Sequence, residues 1–486
     1  MILKIKNKSV LISFILIVFF SVSTLSVDVS ANSFFGKFTV KDEIELGTKF
    51  DKMLHERMHF VTDPEITEYV KGVVKKVADK MPPQPFPIKA AVIRNPSMNA
   101  FAVPGGYIYI FTGLLLDLKH EDELAAVIGH ELAHVALRHV AERMEKMQLV
   151  SMASMLGTLA GMVLGIAGGG GNTGNLGKAL AYGSMAGGQA AYLSYTQENE
   201  RQADHLGMNF LVSAGYNPEA MIHSFKIMKR RQWYVSNNNI PSYLATHPGL
   251  DTRIDYLKDR VMRMPPEYLK RQTDNSGFRK VQTLLRARMT DPKVALAYYN
   301  DIPEDQRNCL DSLGLGIIYS RMKRIDEATA AFEEALKGCG SDPIVLREAG
   351  IFFFQNGKAD KAWPLLQEAY IRNPKDAVAL FFMARIDAQR KNYDKAIATM
   401  RMVNEKVPGD SEVLYHLGRI LGESGNYFEA HLQLAYSALY KGDRNQRDFH
   451  LKKAEGLAKT AEQKAMLAKL EKKIRPPEKE EKKPEE

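Results

Sequence analysis

The second half of this chain repeats every 34 residues, and that period restricts the fold more than any other feature. Ala328, Ala362, Ala396 and Ala430 mark it. Similar pieces recur around them: Arg324-Ile325-Asp326-Glu327, Lys358-Ala359-Asp360-Lys361, Asn392-Tyr393-Asp394-Lys395 and Asn426-Tyr427-Phe428-Glu429. Four residues after each alanine stand Phe332, Leu366, Met400 and Leu434; twelve before it stand Gly316, Gly350, Ala384 and Gly418. Pro343, Pro374, Pro408 and Gly442 close the units. Small residues at fixed offsets are what two touching helices need. Each unit is then a helical hairpin that cannot bury its own apolar face, so the units must stack into a curved array.

This pattern resembles the tetratricopeptide repeat, and it predicts an α-solenoid over 309–474. Linker helices are expected in 266–308, with further helical stretches within 278–299 and 446–474. The charged, proline-bearing residues 475–486 read as a disordered tail. The only two cysteines, Cys309 and Cys339, lie in the repeat region. In an exported protein a disulfide between them is plausible, and a pair of free, half-buried thiols is the other reading. Neither has a second cysteine or a histidine at metal-ligand spacing.

At 486 residues the chain needs two or three domains. Its N-terminus has the layout of a secretory signal: Lys4, Lys6 and Lys8, an apolar run from Val10 to Phe20, then Val29-Ser30-Ala31. Cleavage is expected near Ala31, with an uncleaved anchor as the alternative. Loss of residues 1–31 takes the net charge from +9 to +7. The basic residues are interleaved with acids, and no basic block carries aromatics, so nucleic acid is a poor partner. Attraction to an anionic membrane surface stays open.

The chemistry lies in His130-Glu131-Leu132-Ala133-His134. On a helix the two histidines stand one turn apart on one face and can share a metal ion, with the glutamate beside it. Leu124, Val127, Ile128, Leu132 and Val135 keep helical spacing, which predicts one amphipathic helix over 121–144. Two surface histidines on an ordinary helix are the bland alternative. A catalytic zinc needs a third ligand. The third histidine of a metzincin is missing, because Leu137 and Val140 occupy the required positions, and 151–165 holds no acid. The next acids are Glu198, Glu200 and Asp204. Glu200 as ligand, with Asp204 accepting the outer N–H of a ligating histidine, is one reading; solvated helix charges are the other.

Elsewhere in the first half, helices are expected over 41–81, with Asp63-Pro64 as an N-cap and first-turn proline. Strands are expected over 86–93 and 106–111, with a short strand at Asn99 to Val103 running into a turn. Residues 149–195 are apolar and glycine-rich, with Lys178 their only charge. They read as a lid or membrane-touching flap over the site, or as two core helices joined by a loose turn.

Together, His-Glu-x-x-His, the downstream Glu200-Arg201-Gln202-Ala203-Asp204 and the upstream Asn99-Ala100-Phe101-Ala102-Val103-Pro104-Gly105-Gly106 resemble the M48 family of zinc metallopeptidases. The resemblance covers roughly 41–265. It implies an α+β, mostly α fold: a zincin-type metallopeptidase domain over 32–265, followed by the tetratricopeptide-repeat α-solenoid. It implies one zinc ion held by His130, His134 and Glu200, with Glu131 as the base that activates water. The segment Thr246-His247-Pro248 with Arg253 resembles a further family motif. There His247 either hydrogen-bonds the tetrahedral intermediate or fills zinc's fourth position, and Arg253 either stabilises negative charge or ties the loop down. A loop histidine capping a helix remains the plain alternative for His247.

The resemblance also implies that Asn99, Ala100, Phe101 and Ala102 form an edge strand that pairs with extended substrate. With an export signal and repeats attached, it implies a periplasmic endopeptidase in envelope protein quality control. Its substrates would be unfolded chains such as stalled outer-membrane proteins. The repeats would bind outer-membrane assembly machinery or substrate, or fold back on the peptidase. The competing class is a non-catalytic client-binding adaptor, against which the intact Glu131 argues. His139, five residues past His134, is expected on a different helix face, and His55, His59, His205, His223, His416 and His431 are expected to have no convergent partners.

Overall fold

The computed structural model describes residues 38–146, 196–234 and 246–474, together with Leu156, Leu159 and Tyr243. The signal segment 1–31, the 475–486 tail and, apart from Leu156 and Leu159, the 149–195 segment lie outside the described residues. Packing divides the chain into two units, Met1–Asn275 and Ser276–Glu486.

Among the described residues, the first unit begins with two helices, α1 (Val40–Arg57) and α2 (Pro64–Ala78). Asp63 caps α2 as expected: its carboxylate accepts from the Glu65 N–H, and Pro64 sits at the first position, where no N–H is needed. A three-stranded sheet follows, with β1 (Lys89–Ile93), β2 (Ala100–Val103) and β3 (Tyr107–Phe111) in the order β1-β3-β2. β1 runs parallel to β3 and β2 antiparallel to it, with Ala102 opposite Ile108. β1 starts three residues later than the sequence pattern suggests, beyond Pro87, which has no N–H for the ladder. All five β3 side chains are buried, and β2 stands at the edge.

The short α3 (Thr112–Asp117) leads into α4 (Glu121–Ala136), which carries the His-Glu-x-x-His motif. Nearly every α4 residue is buried, so this helix is the unit's axis. Its start is anchored by Glu121, which accepts hydrogen bonds from Tyr216 (2.7 Å) and Tyr69. One long helix over 121–144 is not what forms. The chain breaks at Leu137 and Arg138, the latter in the left-handed region (φ 56°), and restarts as α5 (His139–Lys146). Arg138 is fixed in that conformation through its guanidinium, which binds the Glu43 carboxylate and the Phe38 carbonyl.

α6 (Gln197–Ser213) is capped by Thr196, whose hydroxyl accepts from the Asn199 N–H. It crosses α4 where Gly129 meets Gly207. α7 (Glu219–Tyr234), α8 (Leu250–Met262) and the short α9 (Pro266–Leu269) complete the unit. Leu159, from the apolar segment, is buried in a core with Phe38, Phe50, Tyr109 and Met144.

In the second unit, α10 (Ser276–Met289) and α11 (Pro292–Asn300) precede four hairpins. These are α12 (Cys309–Arg321) with α13 (Ile325–Cys339), α14 (Pro343–Gln355) with α15 (Ala359–Arg372), α16 (Ala377–Gln389) with α17 (Tyr393–Lys406), and α18 (Ser411–Glu423) with α19 (Tyr427–Lys441). α20 (Arg444–Leu457) and α21 (Ala461–Ile474) follow. The period has a plain steric cause. Any Cβ on Gly316, Gly350 or Gly418 would strike Phe332, Leu366 or Leu434 of the paired helix. Ala328, Ala362, Ala396 and Ala430 are all buried where the hairpins close. Cys309 and Cys339 form a disulfide joining the start of α12 to the end of α13. Among the described residues no helix is long and apolar enough to cross a membrane.

Candidate active site

Three elements converge on one buried point: α4 with His130, Glu131 and His134, α6 with Glu200 and Asp204, and the turn before α8 with His247. All six side chains are at most 1% exposed. The convergence depends on the α4–α6 crossing. With no side chain at Gly129 or Gly207, the two backbones touch, and Glu200, two turns before Gly207, reaches the histidines.

The donor atoms lie close together. His130 Nε2 is 3.0 Å from His134 Nε2 and 3.3 Å from His247 Nδ1. Glu200 Oε1 is 2.9 Å from His247 Nδ1 and 3.4 Å from His134 Nε2, and Oε2 is 3.6 Å from His130 Nε2. One ligand atom from each of His130, His134, Glu200 and His247 lies within 4.8 Å of the others, a buried group able to hold a metal ion. Bonds of 2.0–2.1 Å to a tetrahedral ion place ligand atoms roughly 3.3 Å apart, which is the spacing seen.

Hydrogen-bond polarity makes the same point. His130 Nδ1 lies 2.9 Å from Asp204 Oδ1, and a carboxylate can only accept. The His130 proton is therefore on Nδ1, and Nε2 faces the cluster as a bare acceptor. His134 Nε2 lies 3.0 Å from it, and two ring-nitrogen lone pairs at that spacing repel unless a cation stands between them. The residues present thus fit a bound metal ion.

Charge balance supports the cluster. Burial alone would raise the Glu200 carboxyl, but His247, Arg253 and His130 outweigh it and hold it well below the usual range. Burial also opposes ionisation of Asp204, yet Arg253 and the His130 hydrogen bond bring it down to about 2. Arg253 is itself buried, donating from Nε (2.8 Å) and Nη2 (2.7 Å) to Asp204, with Nη1 on Glu200 and its plane over the Phe225 ring. Burial pushes His134 well below the ordinary histidine range, so it is neutral and has a lone pair to offer.

Glu131 is placed differently. Burial raises its carboxyl, strengthening it as a base. Oε2 accepts the Ala102 N–H of β2 at 3.1 Å, while Oε1 has no hydrogen bond among the described residues and lies 3.5 Å from His247 Nε2. The edge strand thus touches the Glu131 carboxylate directly. Ala100 and Phe101 pair with Ile110 and Tyr109 of β3, and Asn99 is buried just before the strand.

His247 does not cap α8. Gly249 occupies that position with φ 80°, and His247 is turned inward, its ring stacked on Tyr243 at 4.3 Å. Of the histidines expected to lack partners, His431 has His450 at 2.9 Å in the second unit. His139 is a second correction. It is buried, with Nδ1 2.8 Å from His134 Nδ1. On a continuous helix, five residues would turn it about 140° away. The break at Arg138 brings it back, and helical periodicity carries no sign of that break.

Comparison with known proteins agrees with this geometry. Residues 62–261 match the pattern of Peptidase family M48, and 353–420 match the tetratricopeptide repeat. The chain carries an M48 peptidase domain and tetratricopeptide repeats. The M48 match begins just before α2 and closes within α8, so it spans all the converging elements. Among curated relatives, the beta-barrel assembly-enhancing protease of Escherichia coli K12 is 28% identical over 236 residues, 49% of this chain and 47% of that protein. The protein of the same name from Yersinia pestis is 27% identical over 228 residues, 47% of this chain and 46% of that protein. The mitochondrial metalloendopeptidase OMA1 of Schizosaccharomyces pombe is 28% identical over 209 residues, 43% of this chain and 56% of that protein. The chain spans less than two thirds of the length of each of these relatives.

Proposed function

We propose that this chain is a zinc-dependent endopeptidase of the bacterial envelope that cleaves unfolded or stalled outer-membrane proteins and assists their assembly. The observation that carries this is the buried His130, His134, Glu200 and His247 cluster with the Glu131 carboxylate beside it. The names of the bacterial relatives support the envelope setting and the substrate class. The signal-like residues 1–31 support export to the periplasm.

His130, His134 and Glu200 would hold the ion, a set of nitrogen and oxygen donors that suits zinc. Zinc in such a site supplies Lewis acidity to the scissile carbonyl and lowers the pKa of water. Glu131 takes the proton from the attacking water and passes it to the leaving amine. Asp204 fixes the His130 tautomer, and Arg253 holds the two α6 carboxylates ionised. β2 offers backbone groups to an extended substrate next to Glu131, which selects unfolded chain with little demand on sequence. His247 closes the site as fourth donor at rest, so the turn that carries it must move for substrate to enter. The repeats would bind outer-membrane assembly machinery or substrate.

The test is casein cleavage by the wild-type chain and by Glu131→Gln, with and without chelator. Wild type should cleave, lose activity to chelator and regain it with zinc, while Glu131→Gln keeps its zinc and does not cleave. Equal, chelator-insensitive cleavage by both would remove the reading.

A further inference from the structure

The two motif histidines are held from behind in different ways. His130 Nδ1 lies against a carboxylate, Asp204. His134 Nδ1 lies against a second imidazole, His139 Nδ1, at 2.8 Å. Which of that pair carries the proton can be worked out from the far end of the chain of contacts. Gln202 Nε2 is 3.0 Å from Glu198 Oε1, one turn away on α6. A carboxylate accepts and an amide NH2 donates, so the Gln202 amide is fixed with Oε1 on its other side. That oxygen is 3.1 Å from His139 Nε2 and can only accept. His139 therefore carries its proton on Nε2 and presents Nδ1 as an acceptor. The proton between the imidazoles belongs to His134 Nδ1, and His134 Nε2 is left with its lone pair facing the cluster.

We propose that His139 is a positioning residue for the metal site: through the chain Glu198–Gln202–His139 it locks His134 in the tautomer whose Nε2 can bind the ion. This rests on the reading of His134 as a metal ligand. The opposite polarity would put a proton on His134 Nε2, 3.0 Å from His130 Nε2, where a ligand lone pair is needed. The fold invests in the contact. The left-handed turn at Arg138, clamped by Glu43 and Phe38, is what carries His139 back over His134. Ligating histidines ordinarily give their outer N–H to a carboxylate, a carbonyl or water. A neutral imidazole in that place fixes geometry without adding charge, so the two histidines differ as donors.

Two measurements test this. The first is the tautomeric state, read from long-range proton–nitrogen spectra of the histidine-labelled, zinc-loaded chain. The expected result is His134 protonated at Nδ1 and His139 at Nε2 alone. A proton on His139 Nδ1 would overturn the proposal. The second is zinc affinity by competition with a chelating dye. His139→Phe fills the space without an acceptor and should weaken binding about 10- to 100-fold, the usual cost of losing such a partner. His139→Asn, with a carbonyl oxygen near the Nδ1 position, should recover most of that loss. Equal affinity of wild type and His139→Phe would overturn the proposal, as would failure of His139→Asn to rescue. Should His139→Phe not fold, the wild-type spectra and Gln202→Leu, which frees the His139 tautomer and should weaken zinc binding, decide the matter. A wild-type chain that binds no zinc would instead sink the reading of the site itself.

Discussion

Gly129 and Gly207 lie back to back where the motif helix crosses the helix that carries Glu200. A Cβ on Gly207 would stand 2.8 Å from the Gly129 carbonyl oxygen and 2.9 Å from the His130 nitrogen. Both are backbone atoms and cannot swing aside. Gly207→Ala should therefore force the helices apart and cost about 1–3 kcal/mol, the usual range for overpacking. Because Glu200 rides on the same helix, zinc affinity should fall as well. Thermal unfolding and metal titration check this, and an alanine variant that keeps both values would show that the crossing does not set the site.

Arg253 stands between two buried carboxylates, bidentate to Asp204 and paired with Glu200. Its removal leaves negative charge buried without a partner, which costs about 3–5 kcal/mol. Arg253→Met should therefore unfold at lower urea in the metal-free state, and zinc should restore part of the loss by supplying positive charge. Arg253→Lys should rescue poorly, since an ammonium cannot reproduce the planar fork. A lysine variant of normal stability but low turnover would point instead to a direct role on substrate.

The contrast between legible and hidden features follows from range. His130, Glu131 and His134 are one turn of one helix, and spacing alone places them on a common face. The repeats are legible for the same reason, because Gly350 meets Leu366 at a fixed offset within one hairpin. Glu200 is 66 residues beyond His134, and spacing leaves it level with solvated helix acids; only the likeness to a family singles it out. His139 is hidden by a local event. A non-glycine residue in the left-handed conformation reverses the chain, and its stabiliser, Glu43, is 95 positions away. The partnership of Gly129 and Gly207 is hidden too, since a glycine marks a close approach only once its partner helix is known.

The disulfide between Cys309 and Cys339 ties together the open end of the first hairpin across a sequence separation of 30. Closing a loop of that length restrains the unfolded chain by roughly 3–4 kcal/mol in the entropic account. Reduction, or Cys309→Ser with Cys339→Ser, should lower the unfolding temperature of the repeat unit and leave zinc content unchanged. Identical melting of oxidised and reduced protein would show that packing of α12 on α13 already supplies the restraint.

His416 should make the repeat unit acid-sensitive. It lies buried on α18 beside the Phe381 ring, and burial, with Arg385 and Arg419 nearby, lowers it to about 4. Glu412, one helix turn away with its carboxylate at 3.7 Å, opposes the shift without reversing it. The unfolded chain binds the proton near the ordinary value of 6.5, so it gains protons before the folded chain does. The stability that comes from keeping this ring neutral is thus complete above pH 6.5 and is lost as pH falls from there towards 4. By pH 5 the loss should be about 1 kcal/mol once screening by solvent is allowed for. His416→Phe, apolar and unable to titrate, should flatten the urea-unfolding profile between pH 7 and pH 5. If wild type and variant lose stability in parallel over that interval, the acid sensitivity arises elsewhere.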